Sequence, residues 1–373
     1  TSVGDNIYIQ DAQLEQGLVA TPYIPTTTTT AQAGVLETTP RLNYTTGVAN
    51  PYLLLEPSRT NLYLFSEPFQ NEGPAGNVTY ESFDWAIGFV NCVKFGDNSA
   101  LRYRYGSSAV NGTQYTLSAF VIMDDLSEPV VSSNSSSGDF CLAIGGSIAD
   151  TINPNVDMGN NIWKISASRL AGGNAANNGA IKYTSQSNKG FRIVGWQLEQ
   201  ASYPTSYIPT YSTSATRAAD TCNKADASGE IGQTEGTLYL EAAVIGVPTN
   251  TQRLISLSNG TTNESVQIQV AAGEDKLTYV VLEGGTQQMV FTNVDITLGT
   301  TFKTAIAYAE NDFAVYLNGI LVGTDNSGSV SVGMNKIVYG RGNDTAYCEG
   351  KIKQTLLFKT RLSNEELATL TTI

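Results

Sequence analysis

Trp85 and Tyr80 stand in Tyr80-Glu81-Ser82-Phe83-Asp84-Trp85, a polar and aromatic stretch without clean alternation. Flat aromatic rings stack on the C–H faces of sugars, while nearby carboxylates, amides and guanidinium groups hold the hydroxyls. The missing alternation predicts exposure, so these two are the favoured sugar contacts. Tyr103 and Tyr105 are weaker candidates. In Leu101-Arg102-Tyr103-Arg104-Tyr105 a period of two puts the tyrosines on one strand face and the arginines on the other. A half-buried strand with solvated arginines explains that pattern more simply. Trp163 and Trp196 lie in alternating apolar segments and read as core.

A second chemistry would use oxygen ligands. Asn311-Asp312, Asp325-Asn326 and Asn343-Asp344 are oxygen-rich loops, and calcium is the cofactor that Asp312, Asp325, Asn326 and Asp344 would hold. None of the loops is an EF-hand, and Asn and Asp are equally common as plain turn residues. Histidine is absent from the chain, which removes the commonest general base and the commonest metal ligand. Sandwich glycosidases need paired carboxylates across a cleft, and no Glu-x-Asp-x-x-Glu run is present. The expectation is a protein without enzymatic activity.

The elements that must position these residues are short. Charged residues make up 15% of the 373, the net charge is -13, and glycine alone contributes 35 residues. Such a composition favours strands and turns over helices. The acidic balance argues against a nucleic-acid partner, whose phosphates demand Lys and Arg, and no apolar run is long enough for membrane insertion. Apolar segments bounded by Gly, Asn and Ser recur at Ala86 to Phe95, Leu101 to Tyr105, Tyr115 to Met123, Phe140 to Ile144, Trp163 to Ala167 and Phe191 to Leu198. A second series begins at Thr237 and includes Ser265 to Val270, Thr301 to Ala309 and Phe313 to Leu317. The last of these runs into Asn318-Gly319, a strong hairpin signal. One short helix is expected near the end, with Ser363 as N-cap and Glu366 completing a capping box.

The phrase Gln13-Leu14-Glu15-Gln16 closing on Tyr23-Ile24-Pro25-Thr26 returns as Gln197-Leu198-Glu199-Gln200 closing on Tyr207-Ile208-Pro209-Thr210. Each copy reads as a last strand running into a proline-fixed exit. The resulting division is 1–26, the final strand and exit of an upstream module; 27–51, a connector; 52–210, a central sandwich; 211–235, a linker; and 236–373, a second sandwich. The fold class is all-β, tandem antiparallel sandwiches of jelly-roll type joined by extended linkers. Cys92, Cys141, Cys222 and Cys348 lack CxxC pairing and read as isolated buried thiols. Cys222 and Cys348 are the one pair that first and late strands of a domain could make neighbours, so a disulfide there is the alternative.

Ala305-Ile306-Ala307-Tyr308, Ala314-Val315-Tyr316-Leu317-Asn318-Gly319, Gly350-Lys351-Ile352-Lys353 and Arg361-Leu362-Ser363-Asn364-Glu365-Glu366-Leu367 together resemble the C-terminal half of a concanavalin A-like, laminin-G-type jelly roll. That resemblance implies two curved antiparallel sheets, often with glycan binding at a rim. Leu54-Leu55-Glu56-Pro57-Ser58-Arg59-Thr60-Asn61-Leu62, Ser66-Glu67, Trp163 and the Gln197 to Thr210 phrase resemble the carbohydrate-binding-module-like jelly rolls of bacteriophage tail and head fibre proteins. What this second resemblance implies is a virion-surface protein with host cell-surface glycans and other virion proteins as partners, assembled as a homo-oligomer, most often a trimer. The alternatives are a purely structural virion component and the accessory region of a secreted polysaccharide-degrading enzyme.

Overall fold

The computed structural model describes residues 41–43, 51–67, 78–96, 101–102 and 109–373. Tyr103, Tyr105 and the first copy of the repeated phrase lie outside them. Among the described residues the regular structure is antiparallel sheet, with one helix at Asn364–Thr371.

The central sandwich packs two sheets. The larger runs in the order Thr151–Ile152, Trp163–Leu170, Gln114–Met123, Phe191–Glu199, Asn91–Phe95, Thr79–Ser82. The smaller consists of Leu101–Arg102, Gly179–Lys182, Cys141–Ile144 and Ser147–Ile148. Alternate residues of the long strands, Leu117, Ala119, Val121, Met123 and Ile193, Trp196, Leu198, face the smaller sheet and close a core with Tyr63, Phe140, Leu142 and Ile144. Trp196 is fully buried and stacks on Tyr63 at 5.8 Å, as its alternating segment predicts.

The outer face of the larger sheet is not left to water. Residues 83–89 fold over it and bury Trp85 and Phe89 against Phe120, Ile122 and Val194. Here the sequence reading fails: Trp85 is only 1% exposed, so it cannot serve as an open sugar platform. Gly88 donates its backbone N–H to Trp85 O, and the tight turn this closes takes the place of the strand expected from Ala86. Clean alternation is missing because the segment is a loop over an apolar face, not because it is exposed. Tyr80 is half-buried, opposite Val93 in the edge strand, and packs against the sandwich core.

The C-terminal sandwich pairs a sheet ordered Leu42–Asn43, Tyr52–Leu55, Gly350–Phe358, Glu235–Val244, Phe302–Ala309, Asp312–Leu317, Ile320–Asp325 with a second ordered Asn223–Lys224, Lys336–Val338, Gln252–Ser258, Ser265–Val270, Lys276–Glu283, Thr286–Asp295. The expected boundary at residue 52 is therefore misplaced. Leu53 lies opposite Ile352 and Leu55 opposite Gly350, and both leucines join the C-terminal core. The segment expected as a linker before residue 236 contributes Ala227 and Ile231 to the same core. The final helix carries the expected capping box of Ser363 and Glu366. It sets Leu367 on Tyr239, Ala305 and Tyr316 across the outer face of the first sheet. No helix among the described residues is long and apolar enough to cross a membrane.

Candidate functional site

The polar residues of the repeated phrase and of the Leu54 to Glu67 segment converge, and what they build is a clasp. Asn61 is fully buried. Its amide donates to Trp196 O at 3.0 Å and Ile208 O at 2.8 Å, and its oxygen accepts from the backbone N–H groups of Tyr63 and Leu198. Gln197 accepts from Ile208 N at 2.6 Å and donates to Glu199 at 2.8 Å, while Glu199 takes both the backbone N–H and the hydroxyl of Thr205. Ser66 closes the exit through Thr210 N at 2.9 Å and Tyr207 OH at 2.6 Å. Lys164 donates to Thr205 O at 2.6 Å, and burial depresses its pKa against the pull of Glu199 and Glu56. Each of these groups is committed to the fold, which agrees with reading the phrase as a last strand and exit.

The clasp also joins the two sandwiches. Glu56 lies between Arg41 at 2.6 Å and Arg217 at 3.0 Å, and it accepts Ser206 N at 2.8 Å. Asp220 accepts Glu56 N at 2.7 Å and pairs with Arg41. Arg59 lies over the Tyr203 ring at 5.4 Å.

Two of the oxygen-rich loops adjoin, with Phe313 opposite Asp325 and Asn311 bonded to Gly328, but their carboxylates are engaged elsewhere. Asp312 pairs with Arg361 at 2.9 Å, Asp325 accepts from its own turn at Ser327, and Asp344 takes Lys336 and the Asn223 amide. Asn326 is exposed beside Asp325, whereas Asp344 follows the other sheet. Among the described residues no three of His, Cys, Asp and Glu cluster as a metal shell. Asp312, Asp325 and Asp344 serve here in ion pairs and turns, an ordinary use of these residue types.

A concavity does exist, and sequence reasoning missed it. Glu128, Pro129, Val130 and Val131 form one wall of a groove of about 440 Å³, and Ile152, Asn153, Pro154 and Asn155 form the other. Thr151–Ile152 and Val156–Asp157 both pair with Trp163–Leu170, so residues 153–155 are left to bow out between two short strands. Asn153 anchors the bow, donating its amide to Ser166 Oγ at 3.1 Å and Ser168 Oγ at 3.3 Å. Asn155 spans the groove, donating to Pro129 O at 2.8 Å and Glu128 Oε1 at 2.9 Å. Val131 and Ile152 rest on the core below, while Val130 and the adjoining Val156 remain 57% and 53% exposed. An amide whose NH2 is held by protein keeps its oxygen as a hydrogen-bond acceptor. The groove thus combines apolar walls with a few fixed acceptors and falls in the size range of small-molecule sites. The available signal was Glu128-Pro129 and Asn153-Pro154-Asn155, two proline-stiffened loops carrying acceptors.

Residues 219–368 match the family described as the concanavalin A-like lectin/glucanases superfamily. This is the class of domain to which the C-terminal sandwich conforms. No curated protein sequence matches the chain. Among solved structures, the carbohydrate-binding module CBM40 of the Ruminococcus gnavus IT-sialidase, bound to α2,3-sialyllactose, is similar at 16% identity and a TM-score of 0.34, over 38% of this chain and 84% of that one. A heptameric pentraxin of Limulus polyphemus is similar at 16% identity and 0.30, over 37% and 69%. The NanB sialidase of Streptococcus pneumoniae gives 15% and 0.35, over 40% of this chain and 26% of the sialidase.

Proposed function

We propose that the chain is a glycan-binding protein without enzymatic activity, displayed on the surface of a bacteriophage particle as part of a fibre, spike or decoration. The observation that carries the binding is the groove between residues 128–131 and 152–155, whose proline and valine walls suit sugar C–H faces and whose Glu128, Asn153 and Asn155 suit hydroxyls. The lectin-like domain at 219–368 supports the same reading by fold analogy. The virion setting rests on the resemblance of the Leu54 to Glu67 segment and the Gln197 to Thr210 phrase to fibre modules. A shallow groove binds weakly, so several copies acting together supply avidity.

A glycan array probed with the full chain and with the Glu128→Gln/Asn155→Ala double variant tests this. Binding to a defined set of sugars, reduced about tenfold or more in the double variant, is expected. Equal binding by both proteins would place the site elsewhere, and an array blank for both would favour a purely structural virion component. One finding already favours that second reading: Asn61, Gln197 and Glu199 hold the fold together.

A further inference from the structure

Cys222 and Cys348 stand 126 positions apart in sequence, yet both bond the backbone of one residue. Tyr339 donates its N–H to Cys222 O at 2.9 Å, and its carbonyl accepts the N–H of Cys348 at 3.2 Å. The register of Asn223–Lys224 on Lys336–Val338 places Asn223 opposite Val338, so Cys222 continues it opposite Tyr339. In an uninterrupted ladder the Tyr339 carbonyl would take the N–H of Cys222 itself. Cys348 occupies that place instead, which sets the two cysteine backbones side by side along one edge of Tyr339. Both side chains pack on the same apolar cluster, Cys348 within it and Cys222 against it. Burial raises both thiols, and Cys222 adds to the rise at Cys348.

We propose that Cys222 and Cys348 are a disulfide-forming pair that staples the start of the C-terminal sandwich to its last strand. The thiols are free in this structure, so the step is thiol–disulfide exchange with a small disulfide such as oxidised glutathione. The half-buried Cys222 thiolate attacks one glutathione sulfur, forming a mixed disulfide and releasing one glutathione thiol. Cys348, once deprotonated, attacks the Cys222 sulfur and expels the second glutathione. Two protons and two electrons leave the protein, and one glutathione disulfide becomes two thiols. The closed loop holds the strands from Asn223–Lys224 through Lys336–Val338, and long loops gain most from such a link. Cys92 and Cys141 are buried in the central sandwich and serve as internal references.

The test treats the folded full chain with oxidised glutathione and reads intact mass, peptide map and melting temperature. The expected product is lighter by two hydrogens, yields a peptide joining Cys222 to Cys348, and melts about 5–15 °C higher until reduced. Cys222→Ser gives no cross-link and no gain in melting temperature, while Cys348→Ser stops at the glutathione adduct on Cys222. A lasting Cys222 adduct in the native chain without the joined peptide would overturn the proposal. So would a native chain that does not react at all, and both results are read without any variant having to fold.

Discussion

The Tyr203 hydroxyl donates to the Glu349 carboxylate at 2.8 Å, and the bond runs from the central sandwich to the C-terminal one. The Tyr203 ring lies so close to Gly246 that a Cβ there would come within 2.2 Å of it. Burial and the Glu349 charge both push the phenol's pKa up, keeping it a hydrogen-bond donor at any ordinary pH. Tyr203→Phe should cost about 1–2 kcal/mol and separate the melting of the two sandwiches in scanning calorimetry. A single unchanged transition would show that the Arg41, Glu56 and Asp220 network joins them without Tyr203.

Glu199 is fully buried, with Thr205 and Gln197 as hydrogen-bond partners, and its charge acts on Lys164 nearby. Glu199→Ala leaves that ammonium buried with less opposing charge and should cost about 3 kcal/mol or more in urea unfolding.

Glu67 is 6% exposed, and burial raises its pKa from 4.5 to about 7. A carboxyl raised on folding binds more protons in the folded chain than in the unfolded one between those values. Its neutral form is accommodated fully below pH 4.5, and stability falls as pH rises to about 7, by about 3 kcal/mol. Glu67→Gln should remove that slope and stabilise the protein at pH 8, which thermal melts at several pH values would reveal.

Trp85→Ala opens a cavity beneath the loop of residues 83–89 and should cost about 3–5 kcal/mol. The folded protein should retain the proposed glycan binding, because Trp85 meets Phe83 at 5.7 Å and Phe89 at 6.3 Å on the face of the large sheet away from the core. Loss of binding at a temperature where the variant is fully folded would restore Trp85 as a contact.

Several strand positions were legible from apolar segments bounded by turn residues. Ser265–Val270 and Asp312–Leu317 occur where alternation places them, and Asn318-Gly319 makes the expected turn. Thr286–Asp295 escaped notice because it is an edge strand whose outward residues are mostly polar and whose one buried side chain, Met289, makes no pattern. The domain boundary was misread at Tyr52–Leu55, since a short apolar run says that a strand is buried but not in which core. The candidate site was least legible. Trp85 drew attention by its type, whereas the groove depends on two loops brought together across Asn155, a pairing that no local pattern encodes.

The most direct test of glycan binding in the groove is methyl NMR of the full chain, labelled at Val and Ile, titrated with the strongest sugar from the array. Binding in the groove predicts saturable shifts at Val130, Val131 and Ile152, with the methyls of the C-terminal core unmoved. Shifts confined to the C-terminal sandwich, or none at sugar concentrations that saturate the array, would contradict it.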